Sequence, residues 1–109
     1  MDPYIVGMQA GQKIFETTVK DGAGKTPEWN EVFNVDVFSK EQDIITLEVF
    51  EKDTLSKDDH IGHCTIEMSI LCEDDTLEWF PINYKDKDDK ETSAGKINIK
   101  AIWKPSEAE

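Results

Sequence analysis

Apolar residues recur at every second position in short runs along this chain. Tyr4, Val6 and Met8 share one parity, and Ile14, Phe15 and Val19 follow just beyond Gly11. Phe33, Val35 and Val37 alternate with Asn34 and Asp36, and Ile45, Leu47 and Val49 alternate with Thr46 and Glu48. Cys64, Ile66 and Met68 alternate with His63, Thr65 and Glu67. Leu77, Trp79 and Pro81 come next, and Ile97, Ile99, Ala101 and Trp103 alternate with Lys96, Asn98 and Lys100. A period of two turns one face inward and the other to water, the mark of a half-buried strand. Val, Ile, Thr and aromatic residues, which strands favour, fill these runs. Polar turn chemistry separates them at Asp21-Gly22-Ala23-Gly24, at 39–43 and at 85–90. The pattern predicts an all-β fold, an antiparallel β-sandwich of about seven strands. A short helical turn near Ser69–Cys72 is the only departure expected. Trp29, Trp79 and Trp103 are expected in the core or at the sandwich edge.

A chain of 109 residues is one domain by size, here read as 1–104 with a flexible tail at 105–109. It carries 12 Lys+Arg against 24 Asp+Glu, a formal net charge of −12. Nucleic-acid binding needs surplus cations against phosphate and is excluded. Unaided attraction to an anionic membrane is excluded on the same ground. Disorder does not fit a chain with three Trp and five Phe. No stretch reaches the roughly 20 apolar residues of a membrane helix, and no signal peptide is visible at Met1-Asp2-Pro3. Cys64 and Cys72 read as reduced thiols. Together these features point to a cytoplasmic protein.

The acid is unevenly spread. A loop runs from the strand end at Phe50 to the next strand near Gly62, with carboxylates at 51, 53, 58 and 59. On an extended backbone Glu51 and Asp53 point the same way, and the returning chain can set Asp59 opposite them. Carboxylates converging on one loop end repel one another unless a cation sits between them. Ca²⁺ suits such a site, because it takes six to eight oxygens in irregular geometry and accepts backbone carbonyls. A solvated acidic turn accounts for the spacing equally well. No window has the glycine and glutamate positions of an EF-hand loop. His60, His63 and Cys64 do not make a zinc site, since neighbours on a strand face opposite ways and no second cysteine pair completes four ligands. An enzyme is not expected: nucleophile-elbow and phosphate-cradling glycine patterns are both missing, and so is an acid/base pair in an apolar setting. Lys13, Lys20 and Lys25 form at most a weak basic strip, diluted by Glu16 and Asp21.

Three segments resemble the C2 domain family. Asp2-Pro3-Tyr4-Ile5-Val6 is similar to its Asp-Pro-Tyr-Val strand opening. Lys25-Thr26-Pro27-Glu28-Trp29-Asn30-Glu31-Val32-Phe33 resembles its Asn-Pro-x-Trp-Asn-Glu-x-Phe segment, with Thr26 in place of Asn. Val49 through Asp53 and on to Asp59-His60-Ile61-Gly62 resembles its third calcium loop. The nearest likeness is to small cytosolic single-domain C2 proteins of plants. The resemblance implies an eight-stranded sandwich that binds Ca²⁺ and then anionic phospholipid at one end. It implies Asp2, Glu51, Asp53 and Asp59 as carboxylate ligands, the Lys52 carbonyl as a further ligand and Ser56 as an oxygen donor to an outer ion. Leu55 at the loop tip would enter the headgroup region, and Lys57 would meet phosphate. The protein would then be cytoplasmic and peripheral to membranes when calcium rises. Two departures bear on this. Glu51 stands where the family usually has aspartate, and the family's strand and aspartate before Asp-Pro-Tyr are not in this sequence. A calcium-independent C2 module for protein–protein contact is the alternative they favour. A sandwich short of a strand also points to a fragment or to a dimer that exchanges strands between subunits.

Overall fold

The computed structural model describes residues 2–20, 27–39, 41–72, 76–85, 88 and 90–102. Six strands follow in chain order: β1 (Pro3–Gln9), β2 (Gln12–Glu16), β3 (Ile44–Glu51), β4 (Asp59–Glu67), β5 (Thr76–Lys85) and β6 (Glu91–Ala101). A single turn of helix, α1 (Met68–Leu71), follows β4 where the sequence places it. The chain is all-β. Its strands pair antiparallel in the order β2-β1-β3-β4-β5-β6, consistent with a C2-like sandwich.

The β1–β2 hairpin closes through Ala10 and Gly11, at φ 52° and 77°. Two positive φ values in a two-residue loop match the right-handed twist of the flanking strands. Beyond it, β1 lies against β3 through seven register pairs, from Pro3↔Glu51 to Gln9↔Ile45. The β4–β5 junction is narrower, with His63↔Asn83 as its register pair. Gly62 explains how the β5–β6 hairpin comes so close there. A Cβ on Gly62 would stand 2.7 Å from Ile82 and 2.8 Å from the Asn83 carbonyl.

The core collects Ile5, Ile45, Leu47, Val49, Cys64 and Ile66 with Phe80 and Ile82. So β3 and β4 bury the parity that the sequence pattern selects, and Ile97 and Ile99 of β6 pack on the same cluster. Cys64 and Cys72 are buried and form no disulfide with one another, and desolvation pushes the Cys64 thiol above its ordinary pKa.

Three expectations are corrected. In β1 the buried residues are Pro3, Ile5 and Gly7, and Tyr4, Val6 and Met8 occupy the partly exposed face. In β5 Phe80 and Ile82 are buried and Leu77, Trp79 and Pro81 face out. Trp79 is 59% exposed, with the Lys96 ammonium 4.9 Å from its ring centroid. The cause in both strands is that apolar residues stand at both parities, so cross-strand register decides which face is buried. The third correction concerns residues 33–37, which join no strand ladder among the described residues. Across 27–39 burial nevertheless alternates residue by residue. Trp29, Val35 and Val37 pack on the core, and Phe33 stacks on Phe15 with centroids 4.5 Å apart. Periodicity reports which side chains are covered; it does not report whether the backbone has a partner. Trp103, Lys25, the turn at 21–24 and the tail at 105–109 lie outside the described residues.

Candidate functional site at the loop joining strands three and four

The ends of β1, β3 and β4 meet at one edge of the sheet. Glu51 is the register partner of Pro3 on one side and of Asp59 on the other. One residue on, the Lys52 N–H donates to the Asp2 carbonyl at 2.9 Å. The backbone thus brings Asp2, Glu51 and Asp59 to neighbouring strand ends, with Asp53 opening the loop beside them.

Within the loop, Asp53 works as a turn-former. Its carboxylate accepts the Leu55 N–H at 2.8 Å and the Ser56 hydroxyl at 2.9 Å. Those bonds, the Leu55 amide first, hold the Asp53 carboxyl below its ordinary pKa. Leu55 is left at the tip, 95% exposed, and Lys57 is exposed beside it. A leucine so placed has no part in the core.

The residue that sequence reasoning passes over is Asp58. It, not Asp59, turns inward. Its carboxylate accepts the Asp53 N–H at 2.9 Å and the Tyr4 hydroxyl at 2.5 Å, and the Lys52 ammonium stands 3.7 Å away. The Asp53 amide, followed by the Tyr4 hydroxyl, lowers the Asp58 pKa. Tyr4 lies on Phe50, with ring centroids 5.5 Å apart, and Phe50 meets His60 edge-on at 5.2 Å. Two ends of the chain's first half are therefore latched by one carboxylate. The sequence carried only a faint signal of this, an aromatic hydroxyl two residues after Asp2.

The latch has a pH signature. The hydrogen bond to Asp58, with desolvation second, raises the Tyr4 phenol from 10.0 to about 12. A raised pKa favours the protonated form. The contribution is complete below the unfolded value of 10.0 and is lost as pH rises through about 12. The depressed carboxylates behave oppositely: their contribution is present above the ordinary value of 3.8 and is lost as pH falls through their lowered values. Ultraviolet titration of the folded protein is expected to show one phenol ionising near pH 12. Tyr4→Phe removes that step. An unchanged high-pH step in the variant would contradict the latch.

Asp2, Glu51, Asp53 and Asp59, the Lys52 carbonyl and the Ser56 hydroxyl are all hard oxygen donors, the chemistry Ca²⁺ accepts. The backbone collects them, but the side chains are not drawn round one point. Among the described residues no three carboxylate, imidazole or thiol groups stand close enough to hold a metal ion. His60 and His63 instead approach Glu48 at 2.6 Å and Glu91 at 3.5 Å. Away from this end, Lys13 pairs with Glu16 at 3.2 Å. Asn30 takes a left-handed φ of 52°, and Glu31 accepts the Thr18 hydroxyl at 2.6 Å. Asn30 and Glu31 thus fix local backbone, as their residue types suggest.

Comparison with known families matches the C2 domain over residues 1–82. The chain belongs to the C2 domain family. This C2 chain is 30% identical over 105 residues to Synaptotagmin-5 of Arabidopsis thaliana, covering 94% of itself and 17% of that protein. It is 33% identical over 107 residues to 16 kDa phloem protein 2 of the same plant, covering 98% of itself and 69% of the relative. Against Extended synaptotagmin-1 of Homo sapiens it is 35% identical over 82 residues, 74% of this chain and 7% of the relative. The chain therefore spans a small part of the synaptotagmin-type relatives and about two thirds of the phloem protein. No solved structure matches it. Among the described residues no helix is long and apolar enough to cross a membrane.

Proposed function

We propose that this C2 chain is a peripheral phospholipid-binding module whose membrane-facing end is the loop from Glu51 to Asp59, and that Ca²⁺ switches it on. It is a binding module, not an enzyme. The observation that carries the reading is the register: Glu51 pairs with both Pro3 and Asp59, which brings Asp2, Glu51 and Asp59 to neighbouring strand ends, with Glu51 two residues before Asp53 in the loop. Asp2, Glu51, Asp53 and Asp59 would hold the ion, with the Lys52 carbonyl and Ser56 hydroxyl as further donors. The bound ion would supply positive charge and open coordination positions for lipid phosphate or carboxylate oxygen. To serve as a ligand, Asp53 releases the Leu55 amide and the Ser56 hydroxyl. Before that, a chain of net charge −12 is repelled by an anionic leaflet. Leu55 then adds apolar burial of about 1.5–3 kcal/mol, and Lys57 adds about 1 kcal/mol against headgroup phosphate. The protein would work in the cytoplasm and move to membranes as calcium rises.

Leu55→Ala tests the orientation of the module. In co-sedimentation with phosphatidylserine vesicles the variant is expected to bind roughly tenfold more weakly, with its circular dichroism unchanged. Equal binding by both proteins would show that another surface faces the lipid.

A second reading has its own support. Asp58 ties the loop to Lys52 and Tyr4, and among the described residues the carboxylates are not gathered round one point. A loop set in this way suits a calcium-independent C2 module that contacts a protein partner. Isothermal calorimetry separates the readings: heat on addition of calcium favours the first, and no heat at millimolar calcium favours the second.

A further inference from the structure

The outward face of the β5–β6 hairpin carries an exposed tryptophan between two lysines, and we infer that it docks an extended acidic segment of a partner protein, one with carboxylates four residues apart and an apolar side chain between them. In β5 Phe80 and Ile82 are buried, so Leu77, Trp79 and Pro81 turn outward. Their register partners on β6 are Lys100, Asn98 and Lys96. Residues opposite one another in an antiparallel pair share a face, and each of these residues is exposed. Ile97 and Ile99, which alternate with them on β6, pack on the core. Leu77, 64% exposed, extends the apolar surface of Trp79 along the same strand.

Charge identifies the occupant. The chain holds 24 acidic residues against 12 basic ones, yet among the described residues no carboxylate pairs with Lys96 or Lys100. The Lys96 ammonium lies instead over the Trp79 ring, which holds a cation beside an apolar surface. From Leu77 to Pro81 and from Lys96 to Lys100 the outward positions carry two positive charges and no acid. Lys96 and Lys100 stand four residues apart on one strand, roughly 13 Å at about 3.3 Å per residue. An extended partner with carboxylates at the same spacing reaches both lysines, and its intervening side chain falls beside Trp79. Asp88 and Glu91 mark the other end of the hairpin, where Glu91 meets His63 at 3.5 Å. An anionic membrane is wide enough to meet these acids together with the lysines, and it feels the field of the whole chain. A carboxylate in contact with a lysine acts at short range, while salt screens charges beyond roughly 8–10 Å. The net charge thus rejects an anionic plane and leaves this face to a single acidic segment.

Fluorescence anisotropy of a fluorescein-labelled peptide of three Glu-Ser-Leu-Ser repeats, titrated with the 109-residue chain, tests this against a counterpart with Gln for every Glu. The Glu peptide is expected to bind, and the Gln peptide to bind at least roughly tenfold more weakly. Lys96→Glu with Lys100→Glu is expected to lose a similar factor, and Lys96→Arg with Lys100→Arg to retain binding. Trp79→Ala is expected to weaken it roughly fivefold. All three variants keep the wild-type circular dichroism. No binding of the Glu peptide at millimolar protein overturns the proposal. So does equal binding of the two peptides, or equal binding by wild type and the Glu double variant, which would use another surface. Wild-type sedimentation with phosphatidylserine vesicles that the Glu double variant lacks would assign the face to lipid and overturn it as well.

Discussion

Replacing Asp53 and Asp59 together with asparagine is expected to abolish calcium-dependent sedimentation with phosphatidylserine vesicles. Of the four proposed carboxylate ligands, Asp2 precedes β1, Glu51 ends β3, Asp53 lies in the loop and Asp59 opens β4. Asparagine keeps an oxygen at each position and removes the charge. Ligand charge count is a main determinant of calcium affinity in oxygen sites, and losing two of four anionic ligands costs at least roughly a hundredfold. Asp59 is exposed. The bonds from Leu55 and Ser56 to residue 53 can be accepted in part by an amide oxygen. Fold loss therefore does not explain the expected defect, and an unchanged thermal midpoint within a few degrees checks this. Wild-type calcium response in the double variant would place the ion, or the membrane contact, elsewhere.

The largest effect on stability is expected from Ile66→Ala. Ile66 is 2% exposed and belongs to the buried cluster that also holds Ile45, Leu47 and Val49 of β3 and Phe80 and Ile82 of β5. Removing it leaves a cavity between elements, and such substitutions cost about 2–5 kcal/mol. A domain of this size has about 5–15 kcal/mol in all. Urea denaturation followed by circular dichroism is expected to show a midpoint far below wild type with a similar slope. A midpoint within experimental scatter of wild type would mean that the core lies elsewhere.

How much of this was legible depends on the residues. β3, β4 and β6 alternate cleanly between apolar and polar positions, so the sequence shows both their existence and their buried face. The turn at Ser69–Cys72 was legible as well. β1 was legible as a strand but not as to its inner face, because Ile5 sits between Tyr4 and Val6 and both parities are apolar. β5 fails for the same reason, and pairing of Phe80 with Ile97 on β6 decides the matter. Residues 33–37 show the limit of periodicity: alternation is present, but the ladder depends on a neighbour. The acidic loop announced itself through its composition. The division of labour inside it did not, because Asp58 turns inward to reach Tyr4, 54 residues away, and local spacing carries no trace of such a contact.

The central claim is that calcium turns an acidic domain into one that binds an acidic membrane, and the most direct test is wild-type co-sedimentation with phosphatidylserine vesicles in millimolar calcium and in excess chelator. The predicted result is a pellet in calcium that chelator releases, with no binding to neutral phosphatidylcholine vesicles in either condition. Equal sedimentation with and without calcium, or none in either, would contradict it.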